Sequence, residues 1–159
     1  MKFIDHPDNT KVTEKEIQYL YQTHPYLIEK KFLNQKVIPQ YQLPSGYADI
    51  VVLLEDEAVV IELKVDSLEI SHLLQLVGYL EDLKVILNKD KKVRGILIGK
   101  KPKCDLNASI KCLSFKIKVM ILNKNLPIKI KICENCRLAN DFNNTTCVYC
   151  SGNHFIKNS

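Results

Sequence analysis

Residues 45–64 read SGYADIVVLLEDEAVVIELK, and this stretch narrows the folds open to the chain more than any other. Two runs rich in Val, Ile and Leu flank the acidic break Glu55-Asp56-Glu57. Such runs on either side of a short polar break predict a β-hairpin. A tight turn at Glu55-Asp56 sets Ala58 opposite Leu53, Val60 opposite Val51 and Glu62 opposite Asp49. Directly opposed residues have Cβ atoms about 4.5–5.5 Å apart on one face of the sheet. Glu62 and Lys64 are two apart on one strand, so they share that face. The register therefore gathers two acids and an ammonium beside apolar strand. Carboxylates this close repel each other unless something positive lies between them. A surface hairpin with ordinary salt bridges fits poorly, because both strands are too apolar to have two solvated faces. A divalent cation is the simplest remedy, and Mg²⁺ in particular takes carboxylate and phosphate oxygens together. Phosphodiester hydrolysis is the chemistry such a site implies: the ion lowers the pKa of water and neutralises charge on the phosphorus oxygens, while a nearby ammonium orients the attack.

The rest of the chain predicts the frame around this hairpin. VTEKEIQYLYQTHPYLIEKKF opens as a helix, with Thr13 as N-cap and Glu16 three residues later as in a capping box. Ile17, Leu20, Tyr21 and His24 recur at helical spacing, Glu14 shares the face of Ile17 and Tyr21, and Glu16 lies beside it. Pro25 limits the helix, and a short turn is expected over 26–32. KVIPQYQL is a strand whose Pro39 favours an edge or a bulge. Residues 67–87 are an amphipathic helix with a stripe of Ile70, Leu73, Leu74, Val77, Leu80 and Leu83, and with Gln75 near the stripe's edge. RGILIGKK is nearly all apolar, like a strand in the middle of a sheet. CDLNASIKCLS is a short helix capped by Asp105, and FKIKVMIL is the last strand. The order α-β-β-β-α-β-α-β predicts an α/β fold, a mixed sheet flanked by helices. LPIKIKI is expected to lead out of it, dividing the chain into a main domain over 1–125 and a small module with a tail over 126–159.

A chain of 159 residues is long enough for one domain and a small appendage. No apolar run approaches 18 residues, so no transmembrane helix and no membrane partner are expected. MKFIDHPDNT lacks the apolar core of a signal peptide, so the expected compartment is the cytoplasm. Charge is divided unevenly. Residues 1–88 carry 8 Lys and Arg against 14 Asp and Glu, a net −6, whereas residues 89–159 carry 15 against 4, a net +11. A basic half joined to an acidic one points to a polyanion partner, with the acids gathered where a metal would sit.

Six cysteines in a chain of this kind argue for metal before disulfides. Cys133-x-x-Cys136 and Cys147-x-x-Cys150, ten residues apart, offer four thiolates to one tetrahedral Zn²⁺ as in a zinc ribbon. So small and polar a segment needs the metal to fold. Redox cycling fits less well, since nothing thioredoxin-like surrounds either pair. His154 is the one alternative ligand. Cys104 and Cys112 lack knuckle spacing and are expected as small buried hydrophobes.

SGYADIVV, VVIELKV and QLVGYL, in that order, resemble the PD-(D/E)XK nuclease superfamily, and within it the RecB-like and archaeal NucS-type nucleases. The resemblance covers about residues 13–122. It implies a restriction-endonuclease-like core and an Asp…Glu-x-Lys site formed by Asp49 and Glu62-Leu63-Lys64. It implies Mg²⁺ or Mn²⁺ held by Asp49, Glu62 and the Leu63 carbonyl, with Lys64 assisting water attack. Gln75 and Tyr79 match the family's Gln-x-x-x-Tyr. Glu14 matches the acid of its first helix, with Glu16 as rival. The implied function is metal-dependent hydrolysis of DNA, in a DNA-repair setting. Ala48 stands where the family's namesake proline would be. NucS-type proteins also carry an N-terminal DNA-binding domain, so their substrate rules are not carried over to a chain with a cysteine module instead. DNA that is single-stranded, branched or duplex stays open as substrate, and so does RNA. One rival reading is a catalytically inactive nucleic-acid-binding or regulatory zinc-ribbon protein; intact Asp49, Glu62, Lys64 and Gln75 argue against it. Another is a junction-resolving homodimer, which requires an apolar dimer patch. His6, His24 and His72 fall outside the site pattern. His72 could line the cleft, but a place on the helix surface is expected.

Overall fold

The hairpin's two apolar faces become the middle of a five-stranded sheet in a computed structural model that describes residues 12–157. His6 and the last two residues of the tail lie outside the described residues. The strands are β1 (Lys36–Leu43), β2 (Gly46–Leu53), β3 (Glu57–Ser67), β4 (Lys92–Lys100) and β5 (Ile117–Ile121), adjacent in that order. β1, β2 and β3 run antiparallel, as tight turns allow. β4 and β5 join in parallel, each after a crossover through a helix: α2 (Ile70–Ile86), then α3 (Leu106–Lys111). β3 is buried from Glu57 to Leu63, which explains why its apolar residues do not alternate with polar ones. β1 takes the edge position that Pro39 favours.

The sheet separates two cores. On one side α1 (Glu14–Thr23) and two 3-10 turns, Pro25–Leu27 and Lys30–Phe32, bring Ile17, Tyr21 and Phe32 against Ile50, Ile61 and Ile96. On the other side α2 and α3 bring Leu73, Leu76, Leu80 and Leu106 against Val51, Val60 and Leu97. Caps close the helices as their sequences predict. The Glu16 N–H donates to Thr13 Oγ1 at 3.2 Å while the Glu16 carboxylate accepts from the Thr13 N–H at 2.7 Å. Asp105 accepts from the N–H groups of Asn107 and Ala108.

Two expectations need correction, and a third segment makes contacts its sequence does not indicate. The stripe of α2 is rotated: Leu73, Leu76, Tyr79, Leu80 and Leu83 are buried, while Ile70 is 38% exposed and Leu74 61%. The cause is Gly95 on β4, where a Cβ would fall 2.9 Å from Leu76 Cδ2; its absence seats the helix on Leu76 and Leu80. Cys104 and Cys112 are exposed, because α3 is too short to bury more than Leu106. The segment 126–132 leaves the sheet but not the core. Leu126, Ile130 and Ala139 pack with α1 and the 3-10 turns, the Tyr21 hydroxyl donates to the Pro127 carbonyl, and the Ala139 N–H donates to Tyr26 Oη at 2.8 Å. There β6 (Ile130–Ile132) pairs antiparallel with β7 (Ala139–Asp141).

At the far end of β3 the sequence conceals an ion cluster. Arg94 grips Glu29 through Nη1 and Nη2 at 2.9 and 2.8 Å and Glu57 through Nε at 3.0 Å, and Lys31 Nζ lies 2.6 Å from Glu57. Among the described residues no helix is long and apolar enough to cross a membrane.

Candidate active site and cysteine centre

The register between β2 and β3 is the one the turn predicts: Leu53 with Ala58, Val51 with Val60 and Ile50 with Ile61. One step further Asp49 meets Glu62. Asp49 Oδ2 accepts from the Leu63 N–H at 2.8 Å, and the Asp49 N–H points at Glu62 Oε2 at 3.5 Å. Lys64 Nζ stands 3.4 Å from Glu62 Oε1. Pairing between β3 and β4 is irregular between Leu63 and Ser67, so Lys64 sits where the ladder breaks; bulges of this kind re-aim side chains beside active sites.

The electrostatics are unfavourable for two anions. Asp49 is 8% exposed and Glu62 2%. Burial raises both carboxyls, and the neighbouring charge of Asp49 pushes Glu62 further, to about 8. The Leu63 N–H and Lys64 oppose this at Asp49 without cancelling it. Among the described residues two desolvated acids share one ammonium, which leaves the site short of positive charge.

α2 supplies one wall. Gln75 Nε2 donates to Tyr79 Oη at 3.0 Å. Burial and then the charge of Glu62 raise the Tyr79 hydroxyl, which places the ring beside the acids. The opposite side of Tyr79 meets Gly46 in the turn between β1 and β2; there φ is +142° and a Cβ would lie 3.1 Å from Tyr79 Oη. The Ser45 N–H donates to Asp82 on α2 at 2.8 Å and ties that turn to the helix.

α1 and β1 supply the other wall, through residues that the motif reading missed. Gln18 Nε2 donates to the Asp49 carbonyl at 3.2 Å. Gln40 Nε2 donates to Gln18 Oε1 at 2.8 Å and reaches Asp49 Oδ1 at 3.4 Å. Gln40 has φ +48°, a left-handed conformation in an edge strand directly after Pro39. Pro39 flagged an irregularity here, and Gln18 lies one turn after Glu14; those were the available signals. Glu14 itself is partly buried and, among the described residues, makes no hydrogen bond or ion pair with Asp49 or Glu62. Glu16 is engaged in the cap of α1. His72 Nδ1 accepts from the Glu69 N–H at 3.0 Å, capping α2. His24 packs against Tyr26.

The cysteines form a second centre. The Sγ atoms of Cys133, Cys136, Cys147 and Cys150 lie within 4.8 Å of one another, with Cys133 3.6 Å from Cys150 and Cys136 3.5 Å from Cys147. Among the described residues this is the one group of three or more His, Cys, Asp or Glu ligands so close together, and His154 is outside it. Four sulfurs at about 2.3 Å from a tetrahedral zinc would be about 3.8 Å apart, so the geometry fits. Each loop closes alike. The Arg137 N–H donates to the Cys133 carbonyl at 3.0 Å, and the Ser151 N–H donates to the Cys147 carbonyl at 2.9 Å. Arg137 and Ser151 both have positive φ, +65° and +62°. Burial opposes ionisation of Cys147, but the Tyr149 and Cys150 N–H groups and the Asn140 amide outweigh it and bring the thiol down to about 6.

Comparison with known proteins agrees with this architecture. The chain is similar to a repair endonuclease from Pyrococcus abyssi, with 21% identity and a TM-score of 0.56 over 72% of this chain and 50% of that one. It is also similar to EndoMS in a dsDNA complex, with 22% identity and a TM-score of 0.57 over 76% and 49%. EndoMS in its apo form gives 22% and 0.52 over 71% and 48%. At these identities the likeness concerns the fold, and the chain spans about half the length of those structures. No curated protein matches the chain. The model of the endonuclease NucS C-terminal domain matches residues 13–132, from the cap of α1 to the end of β6. The chain belongs to the NucS C-terminal domain family.

Proposed function

We propose that the chain is a divalent-metal-dependent nuclease acting on DNA, with a structural zinc in its C-terminal module. One observation carries this reading: two buried carboxylates face each other across a strand pair with a single ammonium beside them. Hard oxygen donors with a deficit of positive charge suit Mg²⁺ or Mn²⁺. Asp49 and Glu62 would hold the ion, with the Leu63 carbonyl as a further ligand. When bound, the ion supplies charge neutralisation at the scissile phosphate and lowers the pKa of water.

The remaining roles belong to the chain's own groups. Lys64 orients the attacking water and stabilises negative charge that develops on the phosphate. Gln18 and Gln40 hold Asp49 in place. Gln75 positions the Tyr79 hydroxyl against the acids. Glu14, one turn before Gln18, is the helix acid proposed to meet the substrate side of the site. The net +11 of residues 89–159 supplies phosphate affinity without reading sequence. DNA is favoured as substrate because the chain's family is an endonuclease family and one structural neighbour is an EndoMS–dsDNA complex.

The test is cleavage by purified protein, with Mg²⁺ or Mn²⁺ added, of single-stranded, duplex, flapped and four-way DNAs and of an RNA. Metal-dependent cutting by the wild type, lost in Asp49→Asn, is expected. Cutting that persists without added metal, or in Asp49→Asn, would reject the assignment.

A further inference from the structure

On the outer surface of the cysteine module, lysines and aromatic rings alternate. The Phe142 N–H donates to the Lys129 carbonyl at 3.0 Å, so these two residues face each other across the continuation of β6 and β7. Lys129 Nζ lies 4.3 Å from the Phe142 ring centre. Lys131 follows two residues later on the same face and lies between two rings, 5.9 Å from Phe142 and 4.1 Å from Phe155. Phe155 reaches that place because it bridges to Cys133, beside β6, and the Ile156 N–H donates to the Ile132 carbonyl at 2.8 Å. Ile130, on the opposite face of β6, points into the core. Phe142 nevertheless remains 43% exposed beside both lysines. A ring shielded only for stability would be covered; this one stays open to solvent.

From this geometry we infer that the Lys129–Phe142–Lys131–Phe155 surface is a stacking platform for an unpaired stretch of DNA. The inference deepens the nuclease reading and rests on it. Single-strand binders combine cations that follow the phosphates with aromatic rings on which bases stack. Both kinds of group are present here, at spacings fixed by a strand pair tied to the cysteine centre. Duplex DNA buries its base faces, so the rings have little to offer it and only the lysines would contribute. The platform would deliver single-strand preference to a catalytic domain whose other cations are indifferent to base pairing.

The experiment titrates full-length, zinc-loaded protein, without added Mg²⁺ or Mn²⁺, into a single-stranded oligonucleotide carrying 2-aminopurine, and into the same sequence as a duplex. Stacking quenches 2-aminopurine. The wild type should quench the single strand. Phe142→Ala should weaken single-strand binding roughly tenfold, within what one base–aromatic stack contributes, and change duplex affinity less than twofold. Phe142→Trp should retain single-strand binding, and zinc content should equal the wild type in both variants. The inference is overturned if the wild type does not quench, if Phe142→Ala binds the single strand like the wild type, or if it loses both affinities equally. Duplex cleavage by Phe142→Ala, assayed separately with Mn²⁺, distinguishes the two readings. Unchanged cleavage without quenching sinks the platform alone, and Phe142-dependent quenching by a protein that never cleaves sinks the nuclease alone.

Discussion

The carboxylate pair and the cysteine cluster differ in how the fold treats their charge. The hairpin register forces Asp49 and Glu62 together, and the surroundings resist ionisation of both. The cysteine loops turn backbone N–H groups toward sulfur, and Cys147 is eased toward thiolate before any ion is considered. One site is made by strands, and burial resists ionisation of both its acids. The other is made by turns and divides its ligands: neighbouring donors ease Cys147 and Cys150 toward thiolate, while burial pushes the Cys136 thiol up. A catalytic site gains from the first arrangement, because an ion held by only a few protein oxygens retains room for substrate. A structural site gains from the second, because its four sulfurs close the coordination sphere.

The sharpest way to break this contrast is Lys64→Ala. Among the described residues Lys64 provides the one cation beside the acids, and the proposed DNA affinity draws on many other lysines. Removing it should lower kcat roughly 100- to 1,000-fold, the usual effect of losing one group that stabilises transition-state charge. Binding should change little. Steady-state cleavage kinetics with a parallel binding titration check this; activity within tenfold of wild type would mean the ammonium serves only to relieve Glu62.

Next in size is Cys147→Ser. It should abolish stoichiometric zinc, measured by elemental analysis, and it should also reach the main domain. Leu126, Ile130 and Ala139 lie in the same core as Ile17 and Tyr21. Loosening that contact exposes roughly 2–3 kcal/mol of apolar burial, or a fall in Tm of about 5–10 °C. Cys104→Ser, at an exposed thiol outside the cluster, should change neither zinc nor Tm. A Tm unchanged in Cys147→Ser would mean that the module is independent of the domain it packs on.

Asp49→Asn separates function from stability at the oxygen site. Asn keeps an acceptor for the Leu63 N–H but removes one negative charge. Mn²⁺ affinity by calorimetry should collapse, while Tm without added metal should rise by about 2–4 °C, as a gain near 1 kcal/mol would give. A lower Tm would show that the pair is not repulsive, and the contrast with the cysteines would fail.

These effects trace back unevenly to the sequence. The hairpin was legible because its register follows from a short turn and a period of two, and the capping box of α1 because it is a local pattern of four residues. α2 was legible as a helix but not in its rotation, which depends on a glycine in a strand it meets only after folding. Gln18 and Gln40 were invisible as site residues, since nothing local brings them to Asp49. The cysteine spacing announced the cluster, yet the docking of Ile130 and Ala139 against α1 is a long-range contact between segments that each look ordinary.

The smallest expected effect concerns a third charged cluster, which behaves like neither site. Glu57 is buried as Glu62 is, but hydrogen bonds from Arg94, opposed by burial and helped by Lys31, hold its carboxyl down at about 2. Its folded pKa lies below the unfolded value of about 4.3. The stability it contributes is therefore present above that value and is lost as pH falls through the window toward 2. Glu57→Gln should lower stability near pH 7 and flatten the loss of stability between pH 4.5 and 2 in denaturant titrations. If Glu57→Gln leaves the acid limb as steep as in the wild type, that limb belongs to other carboxylates, and the difference between a buried acid with a guanidinium and one without is smaller than their surroundings indicate.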